Sequence, residues 1–296
     1  PTRRSSDLDG RLLGIPRDEV IELAKNAGAQ VMPLVVNQYF SQTGVHTFLS
    51  DDAAQNRLLT ELLAEAKERG YLGFQYDFEH MDVGDKNLYS AFVAKSAPIF
   101  HNAGLQLSVA VAPKHSDYAV DYGAGSWENW TGAFDYQALG ASADFISVMA
   151  YDDSKSAGPT AALPWVQSVL DYTLKYVPAD KVSLGIAFYA WIKDTKTDKR
   201  ADIVTYPVIA KLLTSNKQVI EKGWDSNLGS SYVVYKKGKK VLIAWYEDKR
   251  SFKQKIALVG SENLRGFSAW ALGQEDPAVW TVIMALRDQG SDLALR

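Results

Sequence analysis

Two carboxylates and an amide occur at alternate positions in an otherwise aromatic stretch of the chain. They are Gln75, Asp77 and Glu79 in the segment "LGFQYDFEHM". Because side chains alternate along a β-strand, all three would share one face, with the carboxylates about 7 Å apart along the strand. Like charges on a buried face resist joint ionisation, so one carboxyl group is expected to hold a proton. This arrangement suits glycoside hydrolysis, which needs an acid for the leaving oxygen and a second group that stabilises charge at the anomeric carbon.

Glu79 is the predicted acid because it lies nearest the carboxyl end of the strand, where active sites are built in α/β barrels. Phe74, Tyr76 and Phe78 fall on the opposite face and are expected to pack against neighbouring helices. The spacing alone leaves a second interpretation open, in which the carboxylates form an ion pair or are capped at the end of a strand.

Helices alternate with short apolar strands along most of the chain, which is typical of parallel βα units. Strands are predicted at residues 30–37, 72–81, 105–113, 144–152, 181–191 and 264–273. The pattern predicts an α/β fold, a TIM (β/α)8 barrel, over residues 9–191, with a small α+β insertion at residues 192–263. The last barrel strand and a C-terminal helix are expected at residues 264–296.

The amino-terminal segment "PTRRSSDL", residues 1–8, matches the translation of a sequencing adapter and is left out of the predicted fold. The alternative is a disordered polar terminus. Only six strands are predicted and the first helix has no strand before it, whereas the barrel needs eight. We therefore expect the first two barrel strands, and any export signal, to be missing from this chain.

Composition narrows the classes of function. The chain has 296 residues, a formal net charge of -3 and no cysteine. This charge balance argues against nucleic acid as a partner, and the lack of cysteine excludes disulfides and thiolate nucleophiles. No apolar run is long enough to span a bilayer. The four histidines form no metal-binding pattern, so we expect no metal ion. We also expect no cofactor, no binding to membranes, and a monomeric protein.

Three motifs, in the same order along the chain, resemble family 18 of the glycoside hydrolases. The segment "LGFQYDFE" is similar to the family signature D-G-x-D-x-D-x-E, with Gly73, Asp77 and Glu79 at matching positions and Leu72 and Gln75 as departures. The segment "MAYD" resembles the motif M-x-Y-D that ends the sixth strand of the family. The segment "GFSAWALG" resembles its eighth strand. Residues 163–191 and 223–259 are similar to a branch of the family with spore-cortex and other peptidoglycan-active members.

Membership of family 18 would imply a retaining, substrate-assisted mechanism, in which the 2-acetamido group of the substrate attacks its own anomeric carbon. By this resemblance Glu79 is the acid and base, Asp77 orients the acetamido N–H, and Tyr151 binds the acetamido oxygen. The resemblance implies substrate contacts from a further set of residues: Gln75, Met149, Asp152, Trp270, Tyr189 and Asn37. The amide of Gln75 is expected to donate a hydrogen bond to Asp77 and to alter the pH dependence of activity.

The expected activity is hydrolysis of β-1,4 bonds at N-acetylglucosamine units, with the choice between chitin and peptidoglycan left open. By the same resemblance the protein is expected to be secreted or to lie in the cell envelope or periplasm. The alternative is a chitinase-like lectin that binds carbohydrate without turnover. Such relatives usually lack the catalytic acid, whereas this chain has Glu79.

Overall fold

A computed structural model describes residues 3–215 and 218–288 of the chain. These residues divide into two compact units. The first unit holds the described residues up to Val148 together with Lys175–Lys181, and the second holds Met149–Leu174 and the described residues from Val182 onward.

The first unit is built on a mainly parallel sheet. Its strands are β1 (Arg3–Ser6), β2 (Leu12–Leu13), β3 (Leu34–Asn37), β4 (Gly73–Tyr76), β5 (Gln106–Val111) and β6 (Phe145–Val148). The pairs β1–β3, β3–β4, β4–β5 and β5–β6 are parallel, and β2 pairs with β1 in the antiparallel direction. Parallel neighbours bring their carboxyl ends to one edge of the sheet, and this edge carries the residues after β3, β4 and β5.

The structure differs from the sequence prediction at the amino end of this sheet. Residues 1–8 were left out of the predicted fold, yet Arg3–Ser6 form β1, in register with β3 from Leu34 to Asn37. The side chain of Arg4 is buried and its guanidinium lies 2.8 Å from a carboxylate oxygen of Glu65, which is also buried. The segment adopts this conformation because a short strand can pair along β3 whatever its side chains, since the pairing uses backbone groups.

Helices cover the connections between these strands. They are α1 (Asp18–Asn26), α2 (Gln42–Leu49), α3 (Asp52–Arg69), α4 (Lys86–Asn102) and α5 (Tyr136–Ser142). The Asp51 carboxylate accepts hydrogen bonds from two free N–H groups at the start of α3, and Gly70 ends that helix with a φ of 66°. The chain then enters β4 at Gly73, where no side chain fits: a Cβ there would lie 1.8 Å from the carbonyl oxygen of Gln106.

The second unit combines a parallel strand pair with an antiparallel sheet. Its elements are α6 (Leu163–Thr173), β7 (Val182–Ala187), β8 (Tyr189–Asp194), β9 (Arg200–Thr205), α7 (Tyr206–Leu213), β10 (Val219–Asp225), β11 (Ser230–Lys237), β12 (Lys240–Tyr246), α8 (Lys249–Ser261), β13 (Gly266–Trp270) and α9 (Val279–Asp288). Strands β7 and β13 are parallel, and the antiparallel sheet has the order β10-β11-β12-β8-β9. Apolar side chains on one face of this sheet, among them Ile192, Val233 and Ala244, form a core with Ile209 of α7.

The predicted α/β architecture with parallel strands is confirmed, and each of the six predicted strands is present. The strand ends differ from the prediction. Strand β4 ends at Tyr76, so Asp77 and Glu79 follow it, and the antiparallel sheet begins with Tyr189. The domain limits drawn from the sequence therefore remain predictions.

Candidate active site

The two predicted catalytic carboxylates lie in the first unit, directly after β4. The backbone N–H of Asp77 donates to the carbonyl oxygen of Val35 at 2.8 Å, which extends the pairing with β3 by one residue. Asp77 is only 6% exposed, whereas Glu79 is partly exposed. The pair thus combines a buried carboxylate with one that a substrate can reach.

The aromatic residues that alternate with the carboxylates form the support behind them. Phe74, Tyr76 and Phe78 are fully buried. The ring of Tyr76 stacks on Phe92 of α4 with centroids 5.0 Å apart, and Phe78 stacks on Tyr89 of the same helix at 5.6 Å. The prediction that this face packs against helices is confirmed, and the packing holds the opposite, polar face in place.

Asn37 holds the backbone of Glu79 with two hydrogen bonds. Its Nδ2 donates to the carbonyl oxygen of Glu79 at 2.9 Å, and its Oδ1 accepts from the N–H of Glu79 at 3.0 Å. Asn37 is the last residue of β3 and is 4% exposed. The structure therefore places Asn37 beside the predicted acid, where its carboxamide fixes the position of the acid's main chain.

Gln75 lies inside β4 and reaches across to the next strand. Its Nε2 donates to the hydroxyl oxygen of Ser108 at 2.7 Å, and Gln75 and Ser108 are direct partners in the β4–β5 register. Ser108 is completely buried. One N–H of the amide is therefore used by Ser108, and the predicted donation to Asp77 stays a prediction.

The loop after Glu79 has an unusual backbone. His80 adopts a φ of 54°, its Nδ1 lies 3.0 Å from the carbonyl oxygen of Phe40, and its ring lies 5.0 Å from that of Trp130. Residues with side chains rarely adopt a positive φ, and such strain concentrates at functional sites. This positive φ therefore occurs directly after the predicted acid.

The second unit holds another group of predicted site residues around a small apolar cluster. Tyr189 and Trp191 are buried in it, and Tyr151 and Trp270 pack against it while partly exposed. The ring of Tyr151 meets that of Tyr189 edge to face with centroids 6.1 Å apart. The peptide bond between Trp270 and Ala271 is cis. The cluster thus offers aromatic surface from the ends of two strands and from the loop after β6.

Asp152 is held by a residue that the sequence patterns do not indicate. The hydroxyl of Thr160 donates to Oδ1 of Asp152 at 2.8 Å and accepts from the N–H of Asp152 at 3.3 Å. Asp152 itself has a φ of 62°. Burial raises the pKa of the Tyr189 hydroxyl, and the charge of Asp152, to which that hydroxyl is hydrogen-bonded, raises it further. Tyr189 therefore stays protonated and acts as a hydrogen-bond donor.

The predicted residues form two groups, one in each unit. Asn37, Gln75, Asp77 and Glu79 lie together around the ends of β3 and β4, and Tyr151, Asp152, Tyr189 and Trp270 lie together in the second unit. Met149 is partly buried and its carbonyl oxygen accepts from the N–H of Tyr151 at 2.7 Å. Their roles toward a substrate remain predictions.

Sequence reasoning missed Ser108 and Thr160. Ser108 is the hydroxyl residue of an otherwise apolar stretch of β5, which could have drawn attention to it. The sequence does not show, however, which residue it contacts. Thr160 lies eight residues beyond Asp152 in a loop with no periodicity, so no local pattern identifies it.

Other kinds of site find no support in the described residues. Across residues 3–215 and 218–288, no three histidine, aspartate or glutamate side chains are grouped closely enough to hold a metal ion. Within the same ranges, every helix is too short or too polar to cross a membrane.

Comparison with known proteins decides the family. The model of a protein family described as glycosyl hydrolases family 18 matches residues 15–275. The chain belongs to this family. Its family 18 signature is the segment around β4, and the family resemblance inferred from the three motifs is confirmed.

The relatives include both cell-wall enzymes and chitinases. The chain is 28% identical over 285 residues to the cortical fragment-lytic enzyme of Bacillus subtilis, which covers 93% of the chain and 64% of that protein. It is 30% identical over 241 residues to the uncharacterized glycosylase YvbX of the same organism, covering 79% of the chain and 67% of that protein. The chain thus spans about two thirds of the length of these relatives.

Solved structures confirm the predicted fold class. The spore cortex-lytic enzyme SleL of Bacillus megaterium superposes with a TM-score of 0.82 at 26% identity, covering 96% of this family 18 chain and 66% of SleL. A chitinase of Chromobacterium violaceum gives the same TM-score and identity, covering 99% of this chain and 90% of the chitinase.

Proposed function

We propose that this chain is a glycoside hydrolase that cleaves β-1,4 bonds at N-acetylglucosamine units by a substrate-assisted, retaining mechanism. The observation that carries the proposal is the environment of Glu79, which is partly exposed, follows a buried Asp77, and is held at its backbone by Asn37. An accessible acid on a rigid support beside a buried carboxylate is what proton transfer to a glycosidic oxygen requires.

The proposed reaction has two steps. In the first, the carboxylic acid of Glu79 gives its proton to the glycosidic oxygen as the bond from that oxygen to the anomeric carbon breaks, and the substrate's acetamido oxygen bonds to that carbon. Asp77 stabilises the positive charge that develops on the resulting oxazolinium ring. In the second step water attacks the anomeric carbon, the ring opens, and the carboxylate of Glu79 takes the proton from water.

By the family resemblance, residues of the second unit are assigned to contacts with the sugar. The partly exposed ring of Trp270 would pack against the C–H face of a sugar, since aromatic rings favour such contacts. The Tyr151 hydroxyl is assigned to the acetamido oxygen, Asp152 to the substrate or its acetamido group, and Tyr189 and Met149 to further contacts with the substrate. Within the polysaccharides of N-acetylglucosamine, chitin and peptidoglycan are the two candidates. By analogy with the family, the proposed location is outside the cell or in the cell envelope or periplasm.

The test is the substitution Glu79→Gln, which keeps the shape of the side chain and removes the proton that it donates. We expect hydrolysis of a chromogenic chitobioside to fall at least a thousandfold, with oligosaccharide binding retained when it is measured by calorimetry. Glu68→Gln changes an exposed glutamate of α3 in the same way and is expected to keep full activity. Binding without turnover in the unmodified chain would instead support a lectin.

A further inference from the structure

Trp191, a residue outside the predicted site, connects the apolar cluster of the second unit with a pair of positive charges. It is 6% exposed and packs in the same cluster as Tyr189, Tyr151 and Trp270. Its indole Nε1 is buried, and no described residue offers it a hydrogen-bond acceptor. Buried donors without an acceptor are uncommon in proteins, so this N–H indicates a polar group that the described side chains do not provide.

Two cations lie over the indole ring of Trp191. The Nζ of Lys193 is 5.4 Å from the ring centroid, and the guanidinium carbon of Arg200 is 5.0 Å from it. Lys193 and Arg200 are direct partners in the β8–β9 register. Like charges placed opposite each other on neighbouring strands destabilise a sheet, so the pair has an energetic cost that an anion would offset.

The two cations differ in how they are satisfied. Lys193 is buried, its ammonium donates to the carbonyl oxygen of Ser156, and it lies 3.8 Å from a carboxylate oxygen of Asp198. Asp153 also acts on Lys193 through its charge. Arg200, by contrast, is exposed and forms no ion pair with any described residue.

The chemistry of Arg200 selects one class of ligand. A guanidinium is planar, always charged, and presents parallel N–H donors that match the two oxygens of a carboxylate. Stacking on Trp191 holds the group in one orientation, which lowers the entropy lost when a ligand binds. Since Trp191 shares its cluster with the residues that the proposed function assigns to the sugar, the ligand is expected to be part of the glycan.

We infer that Arg200 binds a carboxylate carried by the N-acetylated glycan and so favours acidic cell-wall glycan over neutral chitin. This inference rests on the proposed function and names its substrate class. Two carboxylates have the required chemistry: the lactyl group on alternate sugars of peptidoglycan and the carboxylates of its attached peptides.

The experiment compares Arg200→Gln and Arg200→Lys with the unmodified chain on three glycans of equal length. These are a neutral chitin oligosaccharide, a cell-wall glycan stripped of peptide, and the same glycan with its peptides attached. We expect the ratio of kcat/KM for acidic over neutral glycan to fall about tenfold to a hundredfold in Arg200→Gln, because a charge-assisted contact is lost. Arg200→Lys keeps the charge without the paired donors and is expected to lie between.

The matched control is Arg250→Gln. Arg250 also stacks on a tryptophan of the second unit, with its guanidinium carbon 4.0 Å from the ring centroid of Trp224. Its substitution is expected to leave the ratio unchanged. If the ratio falls on the stripped glycan, the lactyl carboxylate is the ligand of Arg200. If it falls only on the peptide-bearing glycan, the ligand is a carboxylate of the peptide. If Arg200→Gln leaves the ratio unchanged on both glycans, the inference is overturned.

Binding separates this inference from the proposed function. Dissociation constants for the same three glycans, measured in chains that also carry Glu79→Gln, report the Arg200 contact without any turnover. If the unmodified chain hydrolyses none of the glycans, the proposed function fails. The dissociation constants then still show whether Arg200 binds a carboxylate. If it does, the unmodified residue gives tighter binding of acidic glycan, and Arg200→Gln removes that preference.

Discussion

At the scale of single residues, the polar face of β4 is organised by neighbours that lie far away in the sequence. Gln75 bonds to Ser108, 33 residues further along the chain, and the backbone of Glu79 bonds to Asn37, 42 residues earlier. A neutral amide at position 75 adds no charge to the face that holds Asp77. We therefore expect this chain to be active. Compared with the family 18 signature, which has an aspartate at this position, the face then has one titrating group fewer.

Thr160 allows a test at this scale, since its hydroxyl makes two hydrogen bonds to Asp152. Thr160→Val has nearly the same volume and removes both bonds, so Asp152 loses its fixed orientation toward the substrate. Because hydrogen bonds to charged groups contribute about 1.5–3 kcal/mol, we expect kcat/KM on chitin oligosaccharides to fall roughly tenfold or more. Steady-state kinetics measure both parameters.

Thr160→Ser is the control, because serine keeps the hydroxyl. We expect it to restore most of kcat/KM at an unchanged melting temperature. If the serine variant were as inactive as the valine variant, the hydroxyl would not be what positions Asp152.

At the scale of elements, strand β4 leads directly into the predicted catalytic pair and approaches β5 very closely at its first residue. Gly73 begins the strand, and a Cβ there would lie 1.8 Å from the carbonyl oxygen of Gln106, a backbone atom that cannot move without disturbing the sheet. Asp77 and Glu79 follow within six residues, so a shift of β4 would displace both.

Gly73→Ala is therefore expected to destabilise the chain by about 3 kcal/mol or more, the upper end of the usual cost of overpacking a core, and to abolish hydrolysis. Urea unfolding and oligosaccharide turnover measure the two effects. Gly266→Ala is a matched control at the start of β13, where an added Cβ has no heavy atom within 4 Å. A variant Gly73→Ala as stable as Gly266→Ala would show that β4 has room for a side chain.

At the scale of the whole molecule, a buried lysine links stability to pH. Lys114 follows β5, is 5% exposed, and its Nζ lies 4.9 Å from the ring centroid of Trp127. Burial lowers the pKa of Lys114 to about 8, and the charges of Asp117 and Asp135 oppose that shift. The usual pKa of lysine is about 10.4, so between these values the unfolded chain binds more protons than the folded chain.

Stability should therefore rise as the pH increases from about 8 to about 10.4, because the folded chain no longer has to bury a charge. Lys114→Met removes the charge at every pH. We expect Lys114→Met to stabilise the chain at pH 7 by about 1–3 kcal/mol. This is less than the full pKa shift implies, because the contact with Trp127 is lost. The variant should also show a smaller increase of stability between about pH 8 and about pH 10.4.

Urea unfolding at pH 7 and pH 9.5 checks both effects. Lys67→Met, which changes an exposed lysine of α3, should alter stability by no more than about 0.5 kcal/mol at either pH. An equal change with pH in the unmodified chain and in Lys114→Met would rule out Lys114 as the group that titrates.

The sequence by itself determined the α/β class, the six predicted strands and the segment with Asp77 and Glu79. These features follow from local periodicity: alternation assigned Phe74, Tyr76 and Phe78 to a packed face and the carboxylates to the other, and the structure confirms the packing. The three motifs also sufficed to indicate family 18.

Only the tertiary structure decided which groups hold the candidate site together. The contacts of Asn37 with Glu79, of Gln75 with Ser108 and of Arg200 with Trp191 join separate segments of the chain. Strand β1 is a further case, because residues 3–6 have no strand-like pattern of their own and pair through their backbone with β3. Local periodicity contains no information on such pairings, since they depend on which strands become neighbours and on the register between them.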